Sequence, residues 1–220
     1  MGHSSLTSSS GNKQVHTRTY KIGITGNICS GKSRVRKFLS KMGLSAIDTS
    51  EIAFNIISSR PELMRKISQQ YSAQLVDVFG KLSRKKLEEL TSSTGFDKQF
   101  LQDIVSPLVR DEVKRFLYGP LGTTVRFVES PLLFETASEH LYDEVWMVWV
   151  DYQIQLERLV IQDKVSKDEG HLRIVSEYPQ ESKKEKATRV IDNSGDWLKT
   201  ETQIREAYED VKARAFSKGH

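Results

Sequence analysis

The stretch Gly26-Asn27-Ile28-Cys29-Ser30-Gly31-Lys32-Ser33 has the spacing G-x-x-x-x-G-K-[ST]. Those residue types suit one task, which is holding a chain of phosphates. Successive backbone N–H groups in such a loop curl into a nest around phosphate oxygens, and the helix that follows adds partial positive charge. Lys32 can reach the β- and γ-phosphates of a nucleoside triphosphate, and the Ser33 hydroxyl can ligate Mg²⁺. ATP and Mg²⁺ are therefore the expected ligands. Cys29 lies inside the nest, beside Lys32 and a helix N-terminus. That setting lowers a thiol pKa and predicts a reactive thiolate that ATP protects from alkylation; the alternative is a small residue filling a gap. Asp48 and Glu129 each follow an apolar run. Asp48 could take a proton or hold Mg²⁺ through water, and it also reads as a plain helix N-cap. Glu129 could orient a Mg²⁺-bound water or stand as a solvated acid at a sheet edge. Ser50 is a poor proton acceptor unless something activates its hydroxyl. His140 and His171 are isolated, and no metal-ligand spacing appears.

The elements that must position these residues are legible from periodicity. Tyr20 to Thr25 reads as a strand. Arg34 to Met42, with Val35, Phe38, Leu39 and Met42 at helical spacing, reads as the helix that the loop opens. Gly43 supplies a stop. Leu44 to Ile47 is a second strand ending at Asp48, and Asp48-Thr49-Ser50-Glu51 is an N-cap with a Glu three residues on. Helices follow at Glu62 to Gln70 and Ser83 to Leu90, with a marginal strand signal at Leu75 to Phe79. Asp97 to Leu117 carries an apolar stripe that Pro107 interrupts, predicting a kink or two helices. Thr123 to Val128 and Glu144 to Val150 read as buried strands, with Trp146 and Trp149 as core. Gln153 to Ile161 reads as a helix, Ser166 and Glu169 as a capping box, Arg189 to Asp192 as a last strand, and Trp197 to Phe216 as a last helix. Arg158 and Arg173 stand in these later helices as candidate phosphate grips, or as solvated helix charges. The run Lys183-Lys184-Glu185-Lys186 reads as a solvated face. Strands alternating with helices predict a parallel sheet covered on both faces, a three-layer α/β fold without a second core.

Bulk properties narrow the function. The chain has 220 residues and a net charge of 33 − 29 = +4. That mild excess suits a polyphosphate ligand and shows no aromatic-plus-basic pattern for nucleic acid. No apolar run approaches the ~20 residues of a membrane span. One cysteine excludes an internal disulfide framework and points to a reducing, cytoplasmic setting. Residues 1–18 are Ser-rich and polar, and read as a disordered tail or an expression remnant.

Several stretches taken together resemble the dephospho-CoA kinase family of P-loop kinases. They are IGITGNICSGKS at Ile22 to Ser33, Ile47-Asp48, PLLFE at Pro131 to Glu135, and DEVW at Asp143 to Trp146. QLERL at Gln155 to Leu159, RIVS at Arg173 to Ser176 and VIDNSG at Val190 to Gly195 complete the set. The resemblance implies a P-loop NTPase fold with a parallel five-stranded sheet over residues 19–217, a helical CoA-side insert at about 60–118 and a lid at about 162–186. It implies transfer of the γ-phosphate of ATP, with Mg²⁺, to the ribose 3′-hydroxyl of dephospho-CoA. By the same resemblance Lys32, Asp48 and Arg173 serve catalysis, Gly26 to Ser33 and Arg158 hold the nucleotide, and Asn193 and Gly195 lie near the adenine. Asp-Asn-Ser-Gly is also strong turn chemistry by itself.

The chain departs from the family pattern at identifiable positions. Asn27 and Cys29 replace two loop glycines, and Asn27 suits a left-handed conformation better than most residues. Ser50 replaces the second acid of IDAD, the expected acceptor of the hydroxyl proton. Ser106 replaces a His, Gln162 an Arg and Glu177 a Gln, while Ala187-Thr188 replaces Ala-Asp. Two other readings therefore stay open: a kinase for another small hydroxyl acceptor, and a nucleotide-binding relative with little catalysis.

Overall fold

Short runs of β-branched and apolar residues form five strands: β1 (Tyr20–Thr25), β2 (Ser45–Asp48), β3 (Val125–Glu129), β4 (Glu144–Trp149) and β5 (Arg189–Asp192). They appear in a computed structural model that describes residues 19–71, 75–77, 79–92, 98–120 and 125–217. The tail expected at 1–18 and the start of the strand expected from Thr123 lie outside the described residues. All neighbouring strands are parallel, in the order β2-β3-β1-β4-β5. β3 is buried along its whole length and β4 nearly so, as strands covered on both faces must be.

Nine α-helices are described: α1 (Lys32–Lys41), α2 (Thr49–Ser58), α3 (Pro61–Gln70), α4 (Arg84–Ser92), α5 (Lys98–Tyr118), α6 (Tyr152–Asp163), α7 (Lys167–Val175), α8 (Gln180–Lys186) and α9 (Trp197–Ser217). Alternation along the strands sorts the core into two faces. Ile22, Ile24, Phe127, Trp146 and Val148 meet Val35 and Leu39 of α1 and Ile204 and Val211 of α9. Val128 on the opposite face meets Val113 and Leu117 of α5. The result is three layers, as expected.

Three features differ from the sequence reading. The helical insert shares a separate cluster with α2, where Ile57 meets Ile67, Leu75, Leu82 and Val105; the sequence reading, which found no second domain with its own core, gave no sign of it because those positions lie in α2, α3, α5 and the stretch between α3 and α4 and share no local period. α5 runs as one element of 21 residues through Pro107, so the two-helix option is removed. Proline lacks one N–H donor, and Val105, Val109 and Val113 anchor the helix on both sides of it. The marginal strand near residue 75 is a single antiparallel bridge, Val76 to Leu82.

Register brings the chemistry to one edge. Asp48 pairs with Glu129 across β2 and β3, and Glu129 with Ile24 of β1. Trp149 pairs with Asp192 of β5. The phosphate loop, both acids and Asn193 therefore all sit at the C-terminal ends of strands, where open parallel sheets place ligands. No helix among the described residues is long and apolar enough to cross a membrane.

Candidate active site

The loop between β1 and α1 is shaped by two glycines that no other residue could replace. Gly26 has φ 148°, and a Cβ there would lie 2.4 Å from Val148 O. Gly31 has φ 95°, and a Cβ would lie 2.2 Å from Asn193 Nδ2. The third left-handed position is Cys29, with φ 56°. Asn27, a residue that tolerates that conformation, does not adopt it, whereas Cys29 does. Gly31 caps α1 without a side chain, and the first turn of α1 carries no acid. Arg34 and Val35 N–H donate to Gly31 O, which leaves the amides of Gly31, Lys32 and Ser33 ahead of any helical acceptor. The buried Ser30 Oγ and Asn27 Oδ1 have no partner. An uncapped helix start, a glycine-shaped cradle and the unused Ser30 hydroxyl fit a polyphosphate.

Charges are held around this cradle. Lys32 Nζ donates to Asn27 O at 2.8 Å. Desolvation lowers the Lys32 pKa, and the carboxylates of Glu177 and Glu129 oppose that shift. Ser33 Oγ donates to Glu129 Oε1 at 2.7 Å, and Arg36 Nε to Glu129 Oε2 at 2.7 Å. Arg36 Nη2 lies 3.5 Å from Asp48 Oδ2. Glu129 is buried, so the solvated-acid reading is removed. Asp48 is also the N-cap of α2, accepting from Ser50 N at 2.8 Å, so the capping role holds beside its place in the network. A serine hydroxyl and two carboxylates are a donor set that fits Mg²⁺.

Cys29 corrects an expectation. Burial pushes its thiol pKa up from 9.0 to about 11, reinforced by Asp163 and Glu177, while Lys32 and Arg158 oppose. The thiol faces Gln162 Oε1 at 3.8 Å. It is a protonated gap-filler at neutral pH, because desolvation outweighs the cations on which the thiolate reading relied.

The remaining candidates divide. Asn193 is buried; its Nδ2 donates to Ser30 O at 2.7 Å and its Oδ1 accepts from Thr200 Oγ1 at 3.2 Å. Asn193 therefore clasps the loop to the end of β5, and Arg158 Nη2, donating to Asn193 O at 2.7 Å, ties α6 to that clasp. Gly195 is exposed, with nothing within 4 Å of a Cβ placed there. Arg173 pairs with Asp163 at 3.0 Å and Glu169 at 2.6 Å, both within the expected lid. Beside the acids opens an apolar cleft of about 180 Å³ between α2, α5 and the segment after β3. Thr49 and Ser130, the residues next to Asp48 and Glu129, are both in its wall, together with Ser106, Arg110 and Tyr142.

Comparison with known proteins decides the lineage. The dephospho-CoA kinase family profile matches residues 20–199. The chain belongs to the dephospho-CoA kinase family. A dephospho-CoA kinase of Streptococcus pneumoniae is 34% identical over 176 residues, covering 79% of this chain and 87% of the relative. One of Bacillus licheniformis is 34% identical over 190 residues, covering 86% and 94%. The crystal structure of TT1252 from Thermus thermophilus superposes with TM-score 0.71 at 27% identity, covering 88% of this chain and 98% of that one. The protein is therefore a P-loop kinase, a phosphotransferase that binds ATP.

Residues that the resemblance marked as departures meet one another around the loop. Cys29 faces Gln162. Asn27 Nδ2 donates to Tyr178 O at 3.0 Å, and Ile28 N to the neighbouring Glu177 at 2.9 Å. Sequence reasoning missed four residues here. Arg36 stands three residues after Ser33 on the same helix face, a spacing that could have found it. Glu177 was visible only as a departure, and Gln155, whose Nε2 donates to Ile28 O at 2.7 Å, gave no signal. Lys183, read as part of a solvated run, is buried and pairs with Glu135 at 2.8 Å.

Proposed function

We propose that the chain transfers the γ-phosphate of ATP to the ribose 3′-hydroxyl of dephospho-CoA, with Mg²⁺, in the cytoplasm. The observation that carries this reading is the abutment of two sites. The phosphate cradle and the apolar cleft share the wall formed by Asp48-Thr49 and Glu129-Ser130. An acceptor with a long, uncharged arm suits such a cleft, and Arg110 in its wall suits the acceptor's phosphates.

Lys32 and the loop from Gly26 to Ser33, chiefly through the amides of Gly31, Lys32 and Ser33, would hold the triphosphate, and Ser33 with Glu129 would hold Mg²⁺. When bound, that ion neutralises charge on the phosphate oxygens during transfer. Asp48, fixed by Arg36, would orient the acceptor hydroxyl and take its proton, since Ser50 offers no carboxylate. Arg173 and Arg158 would steady phosphates from the lid side, with Asn193 and Gly195 on the adenine side. Phosphoryl transfer asks mainly for positioning and charge neutralisation, so one missing acid slows the reaction without removing its basis.

The test is ATP consumption with dephospho-CoA beside acceptors that lack the pantetheine arm, with Lys32→Ala in parallel. Consumption that needs dephospho-CoA and falls at least ~100-fold in the variant supports the reading. Equal turnover with arm-less acceptors, or no dependence on any acceptor, overturns it.

A further inference from the structure

The phosphate loop, built to gather anions, is already in contact with an anion of the chain itself. Glu177 follows α7, and its Oε2 accepts the Ile28 N–H at 2.9 Å. The contact is anchored on both sides. Tyr178 O accepts from Asn27 Nδ2 at 3.0 Å, and Gln155 Nε2 donates to Ile28 O at 2.7 Å. Glu177 is therefore a fixed charge and not a swinging surface acid. Of the charges that act on the Lys32 ammonium, Glu177 is the strongest, ahead of Glu129 and Lys183. It also acts on Cys29 in the middle of the loop. A glutamine here would present a neutral oxygen to the same N–H.

We propose that Glu177 is a specificity-determining residue, a negative charge at the rim of the phosphate cradle that weakens nucleotide binding in proportion to ligand charge and so narrows the preference for ATP over ADP. The inference rests on the reading that nucleotide phosphates occupy the loop. Glu177 offsets part of the attraction Lys32 would exert, and a ligand with one more negative charge loses more. The loop hydrogen bond and the charge are separable, because Glu177→Gln keeps the acceptor oxygen and removes only the charge.

The experiment is calorimetric titration of Mg-ATP and Mg-ADP into wild type, Glu177→Gln and Glu177→Ala at one ionic strength, with thermal melts confirming that each variant is folded. Glu177→Gln is expected to tighten ATP about tenfold and ADP about threefold. Glu177→Ala is expected to tighten ATP by less, since it leaves the Ile28 N–H without its acceptor. Saturable binding by wild type with no gain, a loss, or equal gains for both nucleotides in Glu177→Gln would overturn the proposal and leave the kinase reading standing. No saturable binding by any of the three proteins would overturn both.

Discussion

Replacing Asn193 with alanine removes the splint between the phosphate loop and β5. The side chain is buried and makes two bonds, to Ser30 O at 2.7 Å and from Thr200 Oγ1 at 3.2 Å. Each is worth about 1 kcal/mol net, and a buried carbonyl left unpaired adds a further 1–3 kcal/mol. The expected loss is about 3–5 kcal/mol, or a fall in Tm of about 6–20 °C for a domain of this size. Thr200→Val removes the hydroxyl that donates to Asn193 Oδ1 and to Asp192 O at 3.1 Å; with the buried Oδ1 left unpaired, about 2–4 kcal/mol is expected. The two variants should also differ in function. Asn193→Ala frees Ser30 and should weaken ATP binding, whereas Thr200→Val leaves the Ser30 bond in place. Urea unfolding and ATP titration on the same preparations measure both effects. An Asn193→Ala protein within about 0.5 kcal/mol of wild type, with unchanged ATP affinity, would refute the splint.

Further outcomes follow from the site. Cys29 should alkylate slowly at pH 8, with a rate that rises toward a midpoint near pH 11; a midpoint below 9 in a pH–rate series would restore the activated thiolate. Ser50→Asp should raise the rate with dephospho-CoA at least ~10-fold in steady-state assays, because a positioned acid typically contributes 10²–10⁴; an unchanged rate would mean that Asp48 suffices. The desolvated ammonium of Lys32 titrates below the usual lysine value of 10.5. Its charged form grips phosphate, so ATP affinity should be full below that lowered pKa and fall as pH rises through it. For folding the sign reverses: the unfolded chain binds this proton more tightly, so its contribution raises stability as pH climbs between the lowered value and 10.5. ATP affinity that stays level up to pH 10.5 would contradict the shift.

Much of the fold was legible in the sequence because local pattern and global layer agree. The β-branched runs ending at Thr25, Asp48 and Asp192 became strands at those residues, and Ser166 caps α7 through Glu169 N as its spacing implied. The loop was legible because its glycines answer steric demands that only glycine meets. What stayed hidden depends on long-range contact. Arg126 is an example: buried in β3, it donates to Phe116 O and to Gly119 O at 2.7 Å, closing the C-terminal end of α5. No periodicity marks that role. Lys183 was lost among its charged neighbours, because one buried position in a seven-residue helix leaves no periodic trace. The sequence left two readings of Cys29 open because proximity to cations is visible in sequence and desolvation, which decides against the thiolate, is not.

The most direct test of the central claim is phosphorus NMR of the product formed from ATP and dephospho-CoA in the presence of Mg²⁺. The account predicts one new phosphomonoester on the ribose 3′ oxygen, absent when Lys32→Ala replaces wild type. Inorganic phosphate as the sole product, or phosphate placed on another hydroxyl, would contradict it.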